Sequence, residues 1–368
     1  MDVCYSDVLS ATYQEGSKTY SLEGTQRLIS EARLGQIRDY INRADAAFPN
    51  AIILAANIRK EDGLLEGGSE EADEAKQWTA TEPVNNLCQL TIPSNEKLAA
   101  IIDGQHRLFS FVLAKPERLD MELLCSVYLD LPKPFQAQLF ATINSTQKRV
   151  DKSLTYELFG YNIEDESEEF WTPDKLAVFL SRKLATDVNS ALKGKIVIAP
   201  RRDPALERMS DGAKWKISTA VVVEGIMRLF TSNPKKDTAL MLGAGRKKRP
   251  ELRELRKDNS PLRETYLTGQ DAVIYTMVLN FVASCSDKLW NPAGPSSFIT
   301  KTVGFQALFD ILLRIAPEAL EAKDISQNFF SQKLLSAADI DFGAPEFRNA
   351  SGSGRSTIRR ALEQAIGL

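Results

Sequence analysis

Two hydrophobic patterns divide the chain. Up to about residue 160, apolar runs of strand length alternate with short amphipathic stretches; beyond it, apolar residues recur at helical spacing over long segments. Ser30 is placed to cap a helix running to about Arg43, with Leu34, Ile37 and Ile41 on one face. FPNAIILAANI (48–58) reads as a buried strand introduced by a proline turn. Residues 59–86 contain EDGLLEGGSEEADEAK, acidic, glycine-rich and without an apolar period, and read as an exposed excursion. CQLTIP (88–93) and KLAAIID (97–103) read as strands with PSNE turning between them. A helix follows from Gln105 to about Ala114, ended by Lys115-Pro116. LLCSVYLDL (123–131) reads as a buried strand, and PFQAQLFATIN (134–144) and SLTYELFGY (153–161) as helices. Four long helical segments follow: 174–192, 218–231, 271–290 and 302–316. The pattern predicts an α+β protein, with a mixed domain over 1–160 and a mainly helical one over 161–368.

Composition narrows the classes. Charged residues are 26% of the 368 and the net charge is −3, which argues against a strongly basic nucleic-acid coat while leaving room for a local patch. Cys4, Cys88, Cys125 and Cys285 are far apart, and His106 is the only histidine, so no Cys/His metal site is expected. Scattered cysteines fit reduced thiols in a cytoplasmic protein. Met1 to Tyr20 lacks a basic start followed by an apolar stretch, and no apolar run approaches a membrane span, so no membrane association is expected.

The chemistry concentrates where the strand ending in Asp103-Gly104 feeds a helix. The first N–H groups of a helix have no intrahelical acceptor and, with the helix dipole, favour an anion. Gly104 lets a ligand approach the backbone, and Gln105, His106 and Arg107 add an amide, an imidazole and a guanidinium. His106 and Asp103 are the candidates for proton transfer. The bland alternative is that Asp103 caps the helix and Arg107 pairs with an acidic neighbour. Asn144, at a helix end before Gln147 and Arg149, either turns the chain or reaches a phosphate or a Mg²⁺-bound water. GRKKRPELRELRKD (245–258) carries Arg246, Lys247, Lys248, Arg249 and Arg253, a density suited to DNA phosphates or to a solvated loop. PRRD (200–203) adds weakly to it, and SGSGRSTIRRA (351–361) is either a phosphate loop or a plain lead into a terminal helix. No P-loop pattern occurs.

DGQHR (103–107) is the namesake sequence of the DGQHR-domain family, which the chain resembles. GTQRLISEARLGQIRDYI (24–41), FPNAIIL (48–54), IIDGQHRLFSF (101–111) and FATINSTQKRV (140–150) resemble it in order and spacing, and NSALKGKIVI (189–198) and TKTVGFQALFDIL (300–312) resemble its helical half. The resemblance implies a ParB/sulfiredoxin-like N-terminal fold in which Gly104, His106 and Arg107 contact nucleotide phosphates and Gln26 and Arg27 lie beside them. Gln105 stands where sulfiredoxins place their reactive cysteine, so sulfinate reduction is not implied. His-Arg replaces the arginine pair of ParB proteins, so neither is a CTP preference. Members include the phosphorothioation-associated DndB proteins and the DpdB proteins of DNA 7-deazaguanine systems. Leu108-Phe109 and FPNAIIL lean toward the DpdB-like branch. That branch implies ATP hydrolysis with Mg²⁺ in a bacterial DNA-modification and phage-defence system, with DNA and other proteins of the gene cluster as partners. Deazaguanine insertion comes first and phosphorothioation next. The alternative is a non-catalytic regulator that binds DNA near its own operon.

Overall fold

The computed structural model describes residues 2–8, 10–14, 19–23, 26, 28–59, 63–64, 75–82, 85–146, 152–159, 166–197, 204–243 and 245–368. These form a mixed α+β chain divided into two compact units, 1–149 and 150–368. The division falls at 149/150 rather than 160 because the helix Lys152–Phe159 packs on the helix Thr219–Phe230.

In the first unit the strands are β1 (Cys4–Tyr5), β2 (Ser10–Gln14), β3 (Thr19–Glu23), β4 (Ile52–Ala56), β5 (Ile58–Arg59), β6 (Gly63–Leu64), β7 (Thr79–Ala80), β8 (Leu90–Thr91), β9 (Ala99–Asp103) and β10 (Cys125–Leu129). Four of them make the central sheet in the order β1-β9-β4-β10, parallel at both outer pairs and antiparallel between β9 and β4. The helices are α1 (Glu31–Ile41), α2 (Gln105–Ser110) and α3 (Lys133–Thr146). Alternation along β4 and β9 separates two apolar faces. Ile52, Leu54, Ala56, Ala99 and Ile101 pack with Leu108 and Phe109 of α2, whereas Ala55, Ala100 and Ile102 pack with Leu139 and Phe140 of α3. Covered on both sides, β4 and β9 can be apolar at every position, which is why their sequences read as continuous runs.

Two strand expectations change. β8 pairs antiparallel with β7, not with β9, so PSNE joins two separate sheets instead of closing a hairpin. β10 is an edge strand with Cys125, Ser126 and Tyr128 exposed, not a buried one. The helix expected at 30–43 is α1, capped by the Ser30 side chain, which accepts from the Arg33 amide.

The second unit is a helical body with one short parallel pair, β11 (Ile196–Val197) and β12 (Ile217–Ser218). Its main helices are α4 (Lys152–Phe159), α5 (Pro173–Thr186), α6 (Thr219–Phe230), α7 (Asp271–Cys285), α8 (Thr302–Glu321) and α9 (Gly352–Ile366). α6 and α8 cross at Gly225, where an added Cβ would lie 2.3 Å from the Phe309 ring. Asp310 on α8 joins three helices: Arg228 of α6 approaches it at 2.6 Å and Arg355 of α9 donates to both its oxygens. Arg355, in the glycine-serine stretch of the sequence, therefore works inside the fold. Among the described residues no helix is long and apolar enough to cross a membrane.

Candidate functional site

The turn at 103–107 is built by Gly104. It is the N-cap of α2 at φ +98°, and an added Cβ would sit 2.6 Å from Ile52 Cδ1 and 3.1 Å from Arg107 Nη2. A side chain at 104 is excluded by conformation and by space together. Because the cap falls on Gly104, Asp103 does not cap the helix as the bland alternative supposed. Its Oδ2 accepts from Arg107 Nη2 at 2.7 Å, one helical turn on.

Each side chain of the turn ties a different segment to it. Arg107 donates from Nη1 to the Asn50 carbonyl and from Nη2 to that of Ala51, at 3.0 Å, which fixes the approach to β4. Gln105 is buried and its Oε1 accepts from Ser6 Oγ at 2.6 Å, just past β1. His106 Nε2 accepts from the Ser30 amide at 3.1 Å, at the start of α1. An Nε2 that accepts puts the ring proton on Nδ1 and requires a neutral imidazole. Gln26, also buried, donates from Nε2 to the Ile102 carbonyl at 2.6 Å, while its amide donates to Asp7 at 2.8 Å. The segment before α1 is thereby held along the end of β9.

These ties enclose a cavity of about 440 Å³ whose wall includes Gln26, Arg33, Asp103, Gly104, His106 and Arg107. Phe48, Pro49 and Asn50 close one side and Phe140 of α3 another. Leu28, 80% exposed, stands on the same wall. Of the residues singled out from the sequence, Gln26, Asp103, Gly104, Gln105, His106 and Arg107 therefore meet at one place. Arg27, Gln147 and Arg149 lie outside the described residues, as does the side chain of Asn144, whose backbone belongs to α3. Arg33 was only a secondary candidate from the sequence. The structure puts it on the wall, exposed, with no ion pair or side-chain hydrogen bond among the described residues.

The chemistry of this wall is that of a phosphate site. Two guanidinium groups, a neutral imidazole and the first turn of a helix capped by glycine offer donors and positive charge. Arg107 spends three of its five N–H groups on Asp103, Asn50 and Ala51, leaving Nε and one on Nη1. Asp103 is the only carboxylate among the described wall residues, and no group of three or more His, Cys, Asp or Glu among the described residues could hold a metal.

The basic run at 245–258, proposed from the sequence for DNA, is occupied otherwise. Arg249 has no exposed surface: its Nη1 donates to both oxygens of Asp271, at 2.7 and 2.9 Å, and its Nε to the Trp171 carbonyl at 3.1 Å. A buried ion pair cannot meet a DNA phosphate, and Arg249 is removed from that list. Arg246 pairs with Glu166, Lys247 with Glu251, Lys248 with Glu169 and Arg253 with Glu264. The four remain partly exposed, but each faces a carboxylate of its own unit. PRRD lies outside the described residues.

No curated protein and no solved structure matches the chain. Residues 5–172 match the DndB family, described as DNA-sulfur modification-associated. The match takes in all of the described cavity wall, from Gln26 to Phe140. It names sulfur modification, the pathway that the sequence placed second to deazaguanine insertion. Over residues 5–172, therefore, the chain is DndB-like, of the DNA-sulfur modification-associated family.

Proposed function

We propose that the cavity at 103–107 binds the phosphates of a nucleotide, and that the protein is the nucleotide-binding component of a DNA sulfur-modification system. The observation that carries this reading is the convergence of Arg33, His106, Arg107 and the Gly104-capped helix start on one cavity of about 440 Å³. ATP is the nucleotide proposed, as the ParB/sulfiredoxin-like resemblance implies. Arg33 is the cation best placed to meet the terminal phosphates, since its side chain has no other partner among the described residues. Arg107 contributes its two remaining N–H groups. Mg²⁺ arrives with the triphosphate, held by phosphate oxygens and water, because the wall supplies one carboxylate already paired with Arg107.

Hydrolysis is the further step of the proposal. Asp103 Oδ1 or His106 would take the proton of the attacking water, His106 after its Nε2 gives up the Ser30 amide. DNA and other proteins of the gene cluster are the partners this role calls for. Deazaguanine chemistry would use the same site, but the family description favours sulfur.

The test is calorimetric titration of the full chain with Mg-ATP, with phosphate release measured in parallel. Binding that weakens about tenfold or more in Arg33→Ala, with an unchanged melting temperature, supports the site. Equal affinity in the wild type, Arg33→Ala and His106→Ala rejects it. Binding without phosphate release in any condition, including added DNA, retains the site and rejects the hydrolytic role.

A further inference from the structure

In the second unit, far along the sequence from the first cavity, the short segment between Gly212 and β12 meets the start of α8 around a second cavity of about 620 Å³. Its wall includes Lys214, Trp215, Lys216, Thr300, Lys301 and Thr302, and none of its described residues is acidic. Lys214, Lys216 and Lys301 are exposed and have no ion pair among the described residues. The contrast with the rest of the unit is sharp, since the basic run at 246–253 faces carboxylates throughout. Three uncompensated ammonium groups facing one cavity repel each other, and an arrangement that keeps them together gains from an anion between them.

Two further features point the same way. Lys301 is the N-cap of α8, a 20-residue helix, and no side chain caps it, so the helix dipole adds to the positive field. Trp215 is fixed on the wall by Trp290 and Phe305, with ring centroids at 5.3 Å for each, and by Lys195 Nζ, 4.7 Å over its ring. The site is thus rigid on its aromatic side, with mobile charge at its rim.

We infer that this cavity is a second anion site, which takes the phosphate groups of a polyanion. Lysines act as point charges and give affinity without base choice, so the recognised chemistry is phosphate, carried by a free polyphosphate or by a nucleic-acid strand. The inference does not depend on the first cavity, which belongs to the other unit.

The experiment titrates the full chain carrying Arg33→Ala, which silences the first cavity, with tripolyphosphate and separately with a short oligothymidylate. The same titrations follow with Lys214→Gln, Lys216→Gln and Lys301→Gln added. The expected result is binding of at least one probe that falls about tenfold or more in the triple-lysine variant, with an unchanged melting temperature. For the oligothymidylate, the slope of log affinity against log salt shrinks by about two, from roughly 0.7 per phosphate released. Tripolyphosphate binding alone assigns the site to a free phosphate ligand, and oligothymidylate binding assigns it to a strand. Absence of binding by either probe, or equal affinity and salt slope with and without the lysines, overturns the inference.

Discussion

Gly104 takes φ +98° with Ile52 pressed against the space a side chain would fill, so Gly104→Ala should cost about 1–3 kcal/mol in urea unfolding. A loss below about half a kcal/mol would show that the turn relaxes. Arg107→Ala is an ambiguous probe of ligand contact, because it also frees the Asn50 and Ala51 carbonyls and the Asp103 carboxylate. It should lower stability by about 1–3 kcal/mol and binding together, and Arg107→Lys should not rescue it, since an ammonium cannot bridge all three acceptors. Arg33→Ala should leave stability within about 0.5 kcal/mol and lower binding alone. At this scale the sequence was legible where the constraint is local: an Asp-Gly between strand and helix marks the turn. It was silent on the partners of Arg107 and His106, because Asn50 and Ser30 are remote in sequence and only the fold of the sheet brings them near.

Among the elements, the run at 246–249 shows why charge density alone misleads. Arg246, Lys248 and Arg249 pair with Glu166, Glu169 and Asp271, which fastens the run to the segment before α5. Arg249→Ala would leave Asp271 without its counter-charge next to Trp171 and Tyr266, at a cost of about 3–5 kcal/mol in thermal or urea unfolding. Little change in stability, with a large drop in DNA affinity, would restore the DNA role. The helices of the second unit were plain in the sequence because their apolar stripes repeat over three or more turns. β10 was misjudged because an apolar strand reads the same whether one neighbour or two flank it, and the pairing of β8 with β7 depends on a long intervening stretch that carries no pattern.

For the whole molecule, acid should weaken the helical unit. Burial raises the carboxyls of Asp258 and Asp310, but hydrogen bonds from Ser260 and Ser232 to the first, and from Arg355 and Arg228 to the second, outweigh it and hold both below the usual range. A group depressed in the folded state stabilises it above the unfolded value, about 3.9 for Asp, and that stability is lost as pH falls through the folded value. Burial shifts Asp271 upward against the pull of Arg249, and its contribution has the opposite sign. The net expectation is a melting temperature that falls between pH 5 and about pH 2, with a smaller fall in Asp310→Asn; a rise on acidification would contradict it. The two-part organisation was legible from the change of hydrophobic period, and its boundary was displaced because α4 has the helical pattern of either side. The central claim is that the cavity between the start of α1 and the turn at 103–107 holds phosphate, and a crystal structure of the full chain with Mg-ATP tests it most directly. The account predicts the triphosphate at the first turn of α2, within reach of Arg33, His106 and the free edge of Arg107; a cavity that stays empty at saturating nucleotide would contradict it.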